Sequence, residues 1–277
     1  MSLSWRDQIY VFLAPERVDF VHFQRGFKAA QLSRETIHCV KTENSSSWQN
    51  AFAVLEKHLA NTKGKELTVI LSNHFVRYVT LPPQQEITTP EEVKSYALFR
   101  MREIYSDRIE SWELSISDWS PATGAVCAAI ERDLMMQLQE MTKRLGVKLK
   151  AVEPYLAAVY DHWQKQLSGQ KVYLAVAEPG RICTAIIVDG TWKSIRNQRV
   201  LFQNAQELSE ELLVVLTQEA ILYGTKEHQA TAYVFAPDYP QLTQLALPPD
   251  SGWALLALPN EQNPAPGYFP SLSVQAA

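Results

Sequence analysis

Apolar residues along this chain switch between two periods, and the switches divide it into short strands and amphipathic helices. Runs at Ile9–Leu13, Val18–Phe23 and Ala29–Val40 predict a three-stranded meander. Trp48, Phe52, Leu55 and Leu59 then recur at helical spacing behind Ser45-Ser46-Ser47, which predicts a serine-capped helix. Leu67–Leu71 reads as a buried strand after Gly64, and Phe75–Leu81 alternates with period two until Pro82-Pro83 stops it. Thr89-Pro90-Glu91-Glu92 opens a helix with threonine at the N-cap, proline at the first helical position and a capping-box glutamate. Its expected buried face is Val93, Tyr96, Ala97, Met101 and Ile104. Strands follow at Trp112–Ser117 and Val126–Ile130, then a helix from Asp133 to Leu145 with Leu134, Leu138, Met141 and Leu145 inward. Gly146 ends it before a strand at Val147–Val152. From Phe75 to Val152 the order is β-α-β-β-α-β, the split arrangement of a ferredoxin-like subdomain.

Pro154 starts a linking helix with Leu156, Val159, Tyr160 and Trp163 on one side, and Ser168-Gly169-Gln170 breaks it. A second meander follows at Tyr173–Ala177, Ile182–Val188 and Trp192–Val200. A long helix from Ala205 to Tyr223 is expected to bury Leu208, Leu212, Val215, Leu216 and Leu222. Ala232–Ala236 reads as a strand, Tyr239–Leu245 as a short helix and Trp253–Leu258 as a last strand. The predicted domains are residues 1–168, with an insert at about 75–152, residues 169–258, and a loosely ordered tail over 259–277.

The two meanders read as copies of one hairpin. Pro15, Arg17 and Gly26 recur as Pro179, Arg181 and Gly190 at one constant offset of 164 residues (15 to 179, 17 to 181, 26 to 190). A duplicated strand–turn–strand of this kind resembles the two-lobed actin/Hsp70 fold, which has one hairpin per lobe facing a nucleotide cleft. The expected fold class is therefore α/β: a bilobal actin-like (ribonuclease H-like) ATPase fold with an inserted ferredoxin-like subdomain.

Composition narrows the function classes. The 277 residues are 46% hydrophobic and 20% charged, enough for a substantial core. A formal net charge of −4 and scattered basic residues argue against nucleic acid as a partner. The sequence holds no run of about 20 apolar residues of the kind that spans a membrane. The N-terminus lacks a signal-peptide layout, so a cytoplasmic location is expected. Cys39, Cys127 and Cys183 are widely spaced in apolar runs and read as buried, reduced thiols.

The chain resembles the PilM family of type IV pilus assembly proteins and the related cytoplasmic part of the type II secretion protein GspL. The resemblance rests on the duplicated hairpin, the inserted segment, and the stretch Leu71-Ser72-Asn73-His74-Phe75-Val76-Arg77-Tyr78-Val79-Thr80-Leu81-Pro82. In that family such a strand likewise ends in Leu-Pro before a charged helix carrying Tyr or Phe, as Tyr96 and Phe99 do here. The resemblance implies a scaffold that is peripheral on the cytoplasmic face of the inner membrane. It would clasp the N-terminal tail of a bitopic partner, PilN in the pilus system, and work beside a motor ATPase. A partner groove is expected beside the insert, near Phe75, Arg77, Tyr96, Phe99 and Arg100.

Active members of the actin-like fold cradle phosphates with backbone N–H groups at both hairpin turns. Here the first turn contains Pro15, which has no N–H to give, and no Asp-x-Gly. The second reads Glu178-Pro179-Gly180-Arg181, leaving Glu178 as the one metal candidate and Gly180 to open the loop. Where the adenosine side needs Gly-Gly, the sequence is Phe235-Ala236-Pro237-Asp238. Arg17 and Arg181 are either residual anion ligands or braces hydrogen-bonded to loop carbonyls. The expectation is a degenerate nucleotide site without bound ATP, magnesium or another metal, in a protein that is not an enzyme. The alternative is an ATP-binding actin/Hsp70 relative with little or no hydrolysis. Glu110 and Glu113 are expected to face solvent. His22, His38 and His74 lack a recognisable ligand spacing.

Overall fold

The computed structural model describes residues 7–24, 30–40, 46–223, 230–244, 247–248 and 251–259. The first meander is β1 (Gln8–Ala14), β2 (Arg17–Gln24) and β3 (Ala30–His38), followed by α1 (Gln49–Leu59) and β4 (Glu66–Leu71). Next come β5 (Arg77–Leu81), α2 (Pro90–Tyr105), β6 (Trp112–Ile116), β7 (Ala125–Glu131), α3 (Arg132–Leu145), β8 (Lys148–Pro154) and α4 (Tyr155–Trp163). The second meander is β9 (Lys171–Glu178), β10 (Arg181–Val188) and β11 (Thr191–Arg199). It is followed by α5 (Ala205–Leu222), β12 (Ala230–Phe235) and β13 (Trp253–Ala257). The short helix expected over Tyr239–Leu245 is a 3-10 helix at Pro240–Gln244. The Arg25-Gly26 turn, Ser45, Leu245 and the tail from residue 260 lie outside the described residues.

The repeat read from the turns extends through both sheets. One is ordered β3-β2-β1-β4-β8 and the other β11-β10-β9-β12-β13. In each, the hairpin is antiparallel and the central strand runs parallel to the strand after the helix, β1 with β4 and β9 with β12. Such central strands are covered on both faces, which is why β1, β4 and most of β9 are apolar without alternation.

The lobes share one core. Side chains of β9 alternate, Val172, Leu174 and Val176 joining the cluster that holds Phe12, Leu55, Tyr155 and Val159. Tyr173, Ala175 and Ala177 face Leu208, Leu212 and Leu216 of α5 on the other side. The boundary expected at Ser168-Gly169 is thus a break in the chain path, and hydrophobic packing continues across it.

The insert differs from the expected ferredoxin-like subdomain in its last strand. Its elements come in the predicted order, but its own sheet has three strands, β5-β7-β6. β8 instead pairs in parallel with β4 in the first lobe. Leu134, Leu138 and Met141 of α3 bury into the main core, so α3 carries the chain back to the lobe and commits β8 to that sheet. The edge of β5 that a fourth strand would occupy lies against β11 of the second lobe.

Local corrections have local causes. The α1 N-cap is Trp48 and no side chain caps it; Ser46 N–H donates to the Gln49 side chain at 3.1 Å. The capping box at Thr89 and Glu92 forms as predicted. Ile104 (58% exposed) and Leu222 (65%) lie in the last turns of α2 and α5, beyond the ends of the layers those helices cover. Cys127 and Cys183 are buried free thiols, as expected, whereas Cys39 is only half-buried.

Candidate functional site

Both hairpin turns have two residues, because Ala14 pairs with Arg17 and Glu178 with Arg181. Gly180 takes φ +74°, the left-handed conformation that a type II turn needs after Pro179. Each turn docks on the loop of the opposite lobe. Those loops, residues 72–74 after β4 and 236–238 after β12, are themselves related by the same 164-residue offset (72 to 236, 74 to 238).

At the first turn, Arg17 Nη1 and Nη2 donate to Asp238 Oδ1 and Oδ2 at 2.8 and 3.1 Å, a bidentate bridge between lobes. Its Nε lies 3.2 Å from Asp19, and the guanidinium stands 5.5 Å from the centre of the Phe12 ring. Side-chain exposure is only 11% for Arg17 and 9% for Asp238. Burial raises the Asp19 carboxyl above its ordinary range, and Arg17 opposes that shift.

At the second turn, Ser72 Oγ donates to Glu178 Oε1 at 2.5 Å and Asn73 N–H donates to Oε2 at 3.0 Å. Burial pushes Glu178 up to about 7 against these hydrogen bonds. His74 Nε2–H donates to the Pro179 carbonyl at 3.0 Å. Burial first, then the Arg181 charge, pushes His74 down to about 4, so at neutral pH its ring is uncharged and its single N–H goes to Pro179. Asn197 Nδ2 donates to the carbonyls of Asn73 and Val76 at 2.7 and 2.9 Å, and Arg181 Nη1 donates to Asn197 Oδ1 at 3.1 Å.

The charged groups expected to meet a magnesium nucleotide at the two turns, Arg17 and Glu178, are engaged within the chain. Both oxygens of Glu178 are taken by donors of the opposite lobe, and Arg17 is held by two carboxylates. Pro15 offers no donor at the first turn, and Pro237 stands in the loop where glycines would admit an adenosine. Of the two arginines for which bracing was one reading, Arg17 pairs with Asp238 and Asp19, and Arg181 donates to Asn197, which in turn holds the carbonyls of Asn73 and Val76. Among the described residues no group of three His, Cys, Asp or Glu is arranged for a metal. His22 lies opposite Ser33 and His38 opposite Arg17, at opposite ends of one hairpin.

The five residues expected at a partner groove do not share a surface. Phe75 is buried in the main core (7% exposed), which corrects its assignment as a contact residue. Arg77 points back onto the carbonyls of His74 and Val76 at 3.1 and 2.9 Å. Tyr96 packs edge-on against Trp119, Arg100 pairs with Glu103 at 2.6 Å, and Phe99 stands 59% exposed on α2. An open concavity of the insert lies elsewhere, between α2 and β6, the outer strand of its sheet. It is a groove of about 850 Å³ floored by Ala97, Leu98, Ile109, Trp112, Leu114 and Ile116. Lys94, Arg102 and Arg132 stand around it with Glu110 and Glu113, both exposed as expected.

Ser72, Asn73, Asp238 and Asn197 were absent from the sequence-based site. The repeat offset carried a signal for the first three, because it maps one docking loop onto the other.

No protein-family model and no curated protein matches the chain. Among solved structures it is similar to the "PilM-PilN type IV pilus biogenesis complex", at 12% identity and a TM-score of 0.63 over 91% of this chain and 88% of that one. It is also similar to the cytoplasmic domain of EpsL, an inner-membrane component of the Vibrio cholerae type II secretion system (12% identity, TM-score 0.52, 91% and 90% covered). A Bacteroides thetaiotaomicron protein of unknown function with an actin-like ATPase fold matches at 10% identity and TM-score 0.56 over 85% of each chain. At such identities the likeness shows the fold, and this chain has the actin-like ATPase fold.

Proposed function

We propose that this chain is a non-catalytic scaffold of a type IV pilus or type II secretion-like assembly. In this reading it works on the cytoplasmic face of an inner membrane and holds the N-terminal tail of a bitopic membrane partner, with the system's motor ATPase as a second partner. Among the described residues no helix is long and apolar enough to cross a membrane, so attachment through a partner is in keeping with the chain. The observation that carries the reading is that Arg17 at the first cleft turn and Glu178 at the second are spent on holding the lobes together. With these two groups engaged across the cleft, a peptide partner is better accommodated on another surface. The groove beside β6 offers an apolar floor and a strand edge that is unpaired among the described residues, which suit an extended tail added as a strand. The tail was first expected in a groove between the first lobe and its insert; β11 of the second lobe and Asn197 pack against the start of that insert.

The test is calorimetric titration of the full chain with a synthetic N-terminal peptide of a candidate bitopic partner, with and without Mg-ATP. Peptide binding that ignores the nucleotide is expected. Micromolar ATP binding that requires magnesium would replace this reading with that of an ATP-binding actin/Hsp70 relative.

A further inference from the structure

The two copies of the turn arginine are treated differently. Arg17 has Asp19 and Asp238, but among the described residues Arg181 has no carboxylate partner, and neither do its neighbours Arg77 and Arg199. None of these three forms an ion pair among the described residues. Arg181 and Arg199 are direct cross-strand partners in the β10–β11 ladder, a like-charge juxtaposition that costs stability when nothing neutralises it. Arg77 comes to the same place from the insert. Its Nη1 donates to the Val76 carbonyl at 2.9 Å, and that oxygen also accepts from Asn197, whose Oδ1 accepts from Arg181. One asparagine and one carbonyl therefore set the two guanidiniums side by side.

Spare donors are present. Arg181 Nε is buried without a hydrogen-bond partner among the described residues. Arg199 is exposed at the rim, and Arg77 and Arg181 are half-buried behind it, so the cluster opens to solvent on one side. The carboxylate nearest in influence, Glu178, has both oxygens turned to Ser72 and Asn73. The field is felt locally: Arg181, Arg77 and Arg199 all disfavour charge on His74.

We propose that Arg77, Arg181 and Arg199 form a binding site for a phosphate-class oxyanion, held between the insert and the second lobe. Guanidinium forks match the oxygens of phosphate in pairs, and three cations balance a dianion without a metal. A bound oxyanion joins β5 to the β10–β11 hairpin. The site is independent of the membrane-partner reading, and its failure leaves that reading untouched.

The experiment is a titration of the full chain with inorganic phosphate, followed by calorimetry and thermal shift, against sodium chloride at matched ionic strength. A saturable rise in melting temperature with phosphate alone is expected. Arg199→Gln, at an exposed position, is expected to keep the fold by circular dichroism and to weaken phosphate about tenfold, the loss of roughly one charge-assisted hydrogen bond. Arg199→Lys should recover part of the affinity. Pyrophosphate binding that is much tighter than phosphate would identify a diphosphate or triphosphate source, and equal binding a monophosphate. A response that chloride reproduces, or equal phosphate affinity in Arg199→Gln and the parent, overturns the proposal.

Discussion

Replacing Arg17 by methionine removes the cation from the first-turn bridge while keeping most of the side chain's volume. Two carboxylates then remain without it: Asp19, fully buried, and Asp238, whose side chain is 9% exposed. Breaking a buried ion pair by removing one partner costs about 3–5 kcal/mol, chiefly because the other charge stays desolvated. The bidentate geometry and the second carboxylate place Arg17→Met within that range, with a further small loss from the contact over Phe12. Asp238→Asn is the milder perturbation. It leaves Arg17 paired with Asp19 at 3.2 Å and should cost about 1–2 kcal/mol, the loss of a charge-assisted hydrogen bond. The assay is urea denaturation at pH 7.5 and again at pH 5. Asp19 already has a raised pKa in the folded state, so protonating it favours folding. Without Arg17 that tendency grows, and the deficit of Arg17→Met should shrink at the lower pH. A cost below about 1 kcal/mol at pH 7.5, or a deficit equal at both pH values, would refute the bridge as a source of lobe cohesion.

Further outcomes follow from the same geometry. Glu178 is raised from 4.5 to about 7, so its contribution to stability is complete below pH 4.5 and is lost as the pH rises to about 7. Glu178→Gln should therefore flatten the melting temperature between those pH values and gain on the order of 3 kcal/mol at most above pH 7. A melting curve for the variant that still falls through this window would count against it. Gly124 has φ +76°, and a Cβ there would stand 2.0 Å from the Leu81 carbonyl oxygen, so Gly124→Ala should destabilise the insert by about 2 kcal/mol or more in urea denaturation. Leu114→Arg places a charge on the floor of the β6 groove. It should abolish partner-peptide binding in calorimetry while circular dichroism shows the fold kept, with some loss of melting temperature because Leu114 packs on the insert's core, and full binding would move the tail to another surface.

Much of the architecture was legible because it is written in local periods and in a repeat. The runs at Ile9–Leu13 and Tyr173–Ala177, the capping box at Thr89 and the left-handed Gly146 after α3 each follow from short-range sterics and patterning. The 164-residue spacing of Pro15/Pro179 and Arg17/Arg181 fixed two matching hairpins, and both sheets bear it out. The partner of β8 was not legible. Its alternating pattern suits either a fourth strand of the insert or an edge strand of the lobe, and burial of Leu134, Leu138 and Met141 decides for the lobe. The site divides in the same way. Loss of turn donors at Pro15 and Pro179 could be read directly, because proline lacks an N–H wherever it sits. What Arg17, Glu178 and Arg181 do instead depends on partners 221, 106 and 16 residues away in the chain. A charged side chain has the same letter whether it meets a phosphate, a carboxylate or another arginine. Only the packing of one lobe's turn against the other lobe's loop determines which of these it finds.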